Sequence, residues 1–382
     1  MNKEHLQQVF DNYIRKFEWI NNPEHDENYK WRIAYQFRDL IDPDAPLFAE
    51  NLKKAWKLSA NLIDSSNRYC FSALIACAEK EPEAVRQLFK DLFAADYGDL
   101  SVRQQKIENF IENANALTKR LHSQNGMFMN DQRSAMAYLF LYDPDNHYLY
   151  KASEANSFAA CVEFFDDWGP SSSFNLHIYH RMCDRLVEEI KNHEALVNTH
   201  NSRFYGKNGI KIDGMHPDEN YHILAFDIIY GAPDFRYNFY EGLKFSTIKA
   251  HERKEHEEHV AEAQRRYVVW ERAQKKYDLL AEANEFFTQH IVLDMTVTHR
   301  VNGAGVVTQI DGDRLWVLFP QKGSTVKYNT LSAFLNGFLA ADIPDLQERI
   351  ARYQPVLQNT CMILSGLETA RKNLEPYQKY LE

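Results

Sequence analysis

The chain has 382 residues, 45% of them hydrophobic and 26% charged, with a formal net charge of −10. That length suits two or three domains with a sizeable core. The acidic balance excludes an overall field that attracts a polyanion, so any nucleic-acid contact has to come from a local basic patch.

From residue 3 to about 120 the apolar positions recur at steps of three and four: Leu6, Phe10, Tyr13 and Ile14, then Trp31, Tyr35, Phe37 and Leu40, then Leu52, Trp56, Leu58 and Leu62. This period predicts a layer of amphipathic helices, with "DPDAP" separating two of them and Pro82 opening another. The first turn is charged, unlike a signal peptide, and no run of 18 apolar residues occurs. A cytoplasmic protein is expected. Cys70, Cys77, Cys161, Cys183 and Cys361 lie scattered in apolar or helical contexts without a paired spacing, which predicts buried thiols in a reducing compartment.

Between about 125 and 230 the texture mixes. "YLYKASEANSFAACVEFF" starts with a short β-prone run and turns helical, and "SFNLHIYHRMCDRLVEEIKNHEALVNTH" reads as one long helix. A polar loop with Gly206, Gly209 and Gly214 precedes "YHILAFDIIY", which fits a helix or a buried strand equally well.

From about 244 to 289 charge dominates around one seam, Ala263, Tyr267, Trp270, Ala273, Tyr277, Leu280, Asn284 and Phe287. A helix of about 40 residues would be about 60 Å long, which predicts an exposed stalk. Residues 344–382 carry a matching seam, including Leu346, Ile350, Tyr353, Leu357, Thr360, Leu364, Leu367 and Leu374, with Pro355 expected to kink the helix and Pro376 to fray it. The two seams are expected to pair antiparallel, holding the segment between them at one tip.

That segment, residues 292–340, switches to glycine-punctuated alternation: "GVVTQI", a "DGD" turn, "RLWVLFP", a "QKGS" turn and "TVKYN". Five short strands are expected, closed into a small barrel. The predicted fold class is therefore α+β and predominantly helical: a mainly helical recognition or adaptor domain at 1–235, a stalk, a β-barrel insert and a C-terminal helix.

Two resemblances bear on function. "VTHRVNGAGVV" followed by "VLFPQKGSTVKY" resembles the SH3-like, Tudor-type modules at the ends of some DNA helicases and on transcription-associated proteins, over about 292–339. The resemblance implies a nucleic-acid or protein ligand. Arg300, Arg314, Lys322 and Lys327 stand there against Asp294, Asp311 and Asp313, and Trp316 is expected in the core or on an exposed platform. Over residues 27–230, "ENYKWRIAYQFRDLIDPDAPLFAENLKKAW", "EPEAVRQLFKDLF", "DQRSAMAYLFLYDPDNHYLYKASEANSFA" and "YHILAFDIIY" are similar, in order and spacing, to the accessory N-terminal region of McrBC-like AAA restriction proteins. That implies target recognition or partner docking. The chain has no GxxxxGK[ST] phosphate loop, so the resemblance implies a recognition half without its motor.

Residue chemistry gives few alternatives. "HERKEHEEH" sets His256 and His259 one turn apart near His251, and "HIYHRMCD" offers His177, His180, Cys183 and Asp184, but both read as helix faces and no metal or cofactor is assigned. "EEIK" at Glu188 to Lys191 and the pair Asp166 and Asp167 lack the strand context of a metal-dependent nuclease. The loop "HNSRFYGKNGIKIDG" places Arg203, Lys207 and Lys211 among Phe204 and Tyr205, a candidate anion or nucleic-acid site together with Arg300, Lys322 and Lys327. The leading expectation is a non-enzymatic adaptor or recognition component of a prokaryotic defence or nucleic-acid-processing assembly. Its protein partner would be a motor ATPase or nuclease subunit, with homo-oligomers through the helical seams as a further expectation. The alternatives are direct DNA or RNA binding, or a nuclease whose site is not legible.

Overall fold

Side-chain caps and prolines set many of the helix starts. Asn2 accepts from the His5 amide, the Asp99 carboxylate accepts from Ser101 and Val102, Asp131 and Ser134 form a capping box, and Pro82 occupies a first turn. In the computed structural model these signals belong to a predominantly helical α+β chain with fifteen α-helices and one small antiparallel sheet among the described residues, which are 1–64, 67–206, 208–357 and 360–381. The chain divides into two units, Met1–Lys254 and Glu255–Glu382.

The first unit holds α1 (Lys3–Ile20), α2 (Tyr29–Leu40), α3 (Phe48–Ile63), α4 (Cys70–Ala78), α5 (Pro82–Phe93) and α6 (Leu100–Leu121). These are followed by α7 (Gln132–Tyr142), α8 (Ala152–Cys161), α9 (Leu176–Lys191), α10 (Glu194–Ser202) and α11 (His222–Gly231). Phe71, Phe89 and Phe110 surround Tyr138 with ring centroids 5.1 to 5.6 Å away, so α4 to α7 share one aromatic core. The β-prone run at 148–151 is buried extended chain without a strand partner. The single long helix expected over 173–200 is two, because the His193 ring accepts the Leu196 amide at 3.1 Å and starts a new helix there. "YHILAFDIIY" is helical, and α11 is buried nearly all round.

The second unit contains most of α12 (Ala250–His290), 41 residues long. After it come β1 (Thr296–His299), β2 (Gly303–Asp311), β3 (Arg314–Phe319), β4 (Ser324–Asn329), α13 (Thr330–Leu335) and β5 (Leu339–Ala341). The chain returns through α14 (Leu346–Leu357) and α15 (Thr360–Leu374). The sheet order is β4-β3-β2-β1-β5, antiparallel throughout, with a register shift between Val307 and Gln309. β4 and β5 stand at the two ends of this order, and α13 lies between them in the chain.

Val297, Val307, Leu315, Val317 and Phe319 point inward onto Leu280 and Phe287 of α12 and Leu346 and Tyr353 of α14. Gly305 is required in β2, since a Cβ there would lie 2.5 Å from Val317 Cγ1 and 2.7 Å from Phe319 Cε1. Trp316 takes the opposite, outer face and is half-buried, because the alternation gives the inward places to its neighbours.

Helix α12 and the returning chain run antiparallel. Glu282 accepts from Arg349 at 3.1 Å and Arg352 at 2.6 Å, Arg266 donates to the Asn373 carbonyl at 2.8 Å, and the His259 ring stacks on Tyr380 at 4.9 Å. The return is two helices, with Pro355 inside α14. Of its seam, the side chains of Leu357, Thr360 and Cys361 lie outside the described residues, as does Lys207 of the polar loop.

Candidate functional site

The first unit buries a charged cluster. Lys30, on α2, bonds Glu27 at 2.7 Å and also bonds Asp227 of α11. The Tyr13 hydroxyl donates to Asp227 at 2.7 Å, and Tyr237 donates to Glu27. Arg203 Nη2 donates to Tyr13 Oη at 2.6 Å, its Nη1 donates to Asn21 and Asn28, and its guanidinium lies 3.5 Å from the Trp31 ring centroid. Burial favours loss of the Lys30 proton, but the charges of Asp227 and Glu27 outweigh it and hold the ammonium above its ordinary pKa. These groups bond chiefly to one another, with Arg203 Nε left without a hydrogen-bond partner, and the cluster fastens α1, α2, α11 and the segments around 203 and 237.

Beside it, Asp218 accepts the Ile223 and Leu224 amides at 2.9 Å and Trp31 Nε1 at 3.3 Å, and burial pushes its carboxyl up to about 7. His200, fully buried 3.7 Å from Asp218, is held well below the ordinary histidine range by burial.

Arg203 is thus a structural group and not a loop ligand for an anion. It is 3% exposed and points into the unit, whereas Lys211 is exposed and pairs through its backbone with Tyr205. The two do not share a surface. In the second unit the predicted groups fall in two places. Lys322 donates to Asn302 at 2.7 Å, joining the β3–β4 turn to the β1–β2 turn that carries Arg300, whose guanidinium covers the Phe338 ring at 5.3 Å. Lys327 extends along the outer face, its ammonium 4.6 Å from the Trp316 ring centroid.

The histidine and carboxylate motifs are tied into packing. His251 faces Asp167 at 3.3 Å and Asp166 pairs with Arg181 at 3.0 Å. Burial lowers His180 to about 3 and raises the Cys183 thiol. Glu188 to Lys191 sit on α9, and among the described residues no three His, Cys, Asp or Glu side chains converge as a metal site would require.

A further surface was not singled out from the sequence. Over residues 263–279 of α12 and along α15 the buried side chains are few, namely Ala263, Ile363, Ala370 and Leu374 among the described residues. Two furrows flank the helix pair. One, of about 990 Å³, is lined by Tyr267, Trp270, Tyr277, Leu364 and Leu367, and carries Glu368, Glu375, Arg371 and Lys372. The other, of about 450 Å³, has an apolar floor of Val269, Ala273, Met362, Ile363 and Ala370. Val269 is 58% and Met362 67% exposed. The sequence signal was "YVVW", Tyr267 to Trp270, where four consecutive large side chains on a helix cannot all face one seam.

No protein family, curated protein or solved structure matches the chain. No described helix is long and apolar enough to cross a membrane.

Proposed function

We propose that this protein is a cytoplasmic, non-enzymatic adaptor: a recognition component of a prokaryotic defence or nucleic-acid-processing assembly that works through protein–protein contact. The observation that carries the reading is the pair of furrows along α12 and α15. A two-helix layer leaves large apolar side chains in water on both sides, and contiguous exposed apolar surface of this kind suits a protein interface. The similarity of residues 27–230 to the region preceding McrBC-like motors, in a chain without a phosphate loop, supports a partner that supplies the motor or nuclease. A second reading, direct nucleic-acid binding, draws on Lys327 stacked over Trp316, with Arg300 and Lys322 in turns of the same sheet.

Affinity purification of the tagged full chain from its native cells, with half the sample treated with nuclease, separates the two. The adaptor reading expects the same partner proteins in both halves. Loss of all of them after nuclease would overturn it in favour of the second reading.

A further inference from the structure

The two furrows differ in charge, and that difference selects an occupant. The furrow on the Val269 side is bordered along α12 by Arg272 and Lys276, one turn apart, and neither has an acidic partner among the described residues. It continues past Val269 and Ala370, which also line an adjoining hollow of about 360 Å³ with Arg265, Arg266 and Glu262. Glu262 is already engaged by Arg266 at 2.6 Å and by Arg265 at 3.5 Å. The exposed border therefore carries uncompensated positive charge over an apolar floor.

From Glu262 to Lys276 the furrow follows about four helical turns, or about 21 Å, a length that one helix lying between α12 and α15 would cover. Gly366 keeps the floor open, since nothing lies within 4 Å of a Cβ built there. A second copy of the chain is a poor fit. A two-fold contact sets the same patch against itself, which would bring the basic border of one copy, with Arg265, Arg266, Arg272 and Lys276, against that of the other. A polyanion would match the border and not the floor.

We infer that this furrow receives a helix from a partner protein whose apolar stripe is flanked by glutamate or aspartate. The inference rests on the adaptor reading and names the chemistry of the partner at that surface. Docking adds the third helix that buries Val269 and Met362, while the flanking carboxylates meet Arg272 and Lys276 at the border, where charge sets selectivity more than depth of binding.

The probe is a synthetic peptide of about five helical turns with a leucine stripe flanked by glutamates, compared by fluorescence anisotropy with its lysine-flanked counterpart on the full-length protein. The expected result is about tenfold tighter binding of the glutamate peptide, a preference reversed by the double substitution Arg272→Glu and Lys276→Glu. Gly366→Leu should weaken both peptides by filling the floor. Its thermal midpoint should hold or rise, because leucine is the better helix former, so lost binding cannot be put down to unfolding. Equal affinity for the two peptides, or binding indifferent to Gly366→Leu, overturns the inference. Sedimentation that finds a dimer dissolved by Gly366→Leu also overturns it and gives the furrow to a second copy. In each of these cases nuclease-resistant partners in the purification would leave the adaptor reading standing, and their loss would end both.

Discussion

Lys30 is the residue on which the first unit's polar interior depends. Replacing it with methionine removes the cation that pairs with both Glu27 and Asp227 and leaves only Arg203, 4.0 Å from Asp227, so the expected cost is about 3 to 5 kcal/mol, read as a fall in the urea midpoint. The double variant Lys30→Met and Asp227→Asn should recover part of that loss, because one stranded charge is removed. Acid should weaken the fold early. His147, His180, His200, His216 and His222 all have folded pKa values below the ordinary 6.5, with burial the first cause in each. The unfolded chain then binds more protons, so their contribution is present above about pH 6.5 and is lost as pH falls below it, by about 1.4 kcal/mol per pH unit for each such proton. Asp218, raised to about 7, works in the opposite sense and costs stability as pH rises from about 4 to about 7. Five groups oppose one, so urea midpoints measured at pH 7.5, 6.5 and 5.5 should fall in that order. A midpoint that rises on acidification would mean that Asp218 dominates. Little of this was legible in the sequence. Arg203 reads as a loop cation beside glycines, yet Tyr13, Asn28 and Trp31, which capture it, are more than a hundred residues earlier, and no local pattern announces such a partner.

At the scale of elements, periodicity carried most of the fold. The helices of the first unit, the long α12 and the short strands follow from steps of three and four or of two. The departures have local causes. His193 caps a new helix inside a continuous apolar stripe, and the 148–151 run has strand composition but no neighbour to pair with. Alternation left both faces of β3 open for Trp316, and Gly305 settles the matter: its missing side chain makes room for Val317 and Phe319 on the inner face, leaving Trp316 outside. Gly305→Ala should therefore overpack the sheet and cost about 1 to 3 kcal/mol, seen as a lowered thermal midpoint of the second unit. The furrows were hidden for a different reason. A seam pattern tells which residues can pack, and it does not tell how many helices are present to pack against them.

For the whole molecule, the two units have separate cores, one built on the aromatic cluster around Tyr138 and one on the sheet against α12 and α14. Calorimetry of the full chain should resolve two unfolding transitions, Lys30→Met moving one and Gly305→Ala the other; a single transition moved equally by both would refute independent cores. Timing follows from the antiparallel return. Glu282 meets Arg349 across 67 residues of chain, while Arg266 meets Asn373 across 107, so each contact farther from the sheet closes a longer loop. Loop closure therefore favours zipping from the sheet outward, by about 0.4 kcal/mol between these two contacts. On the ribosome, the apolar stripe of α12 is complete long before Ala370 and Leu374 exist to cover it, and for that interval the nascent chain presents to chaperones and neighbouring chains an uncovered helix that the finished protein half conceals.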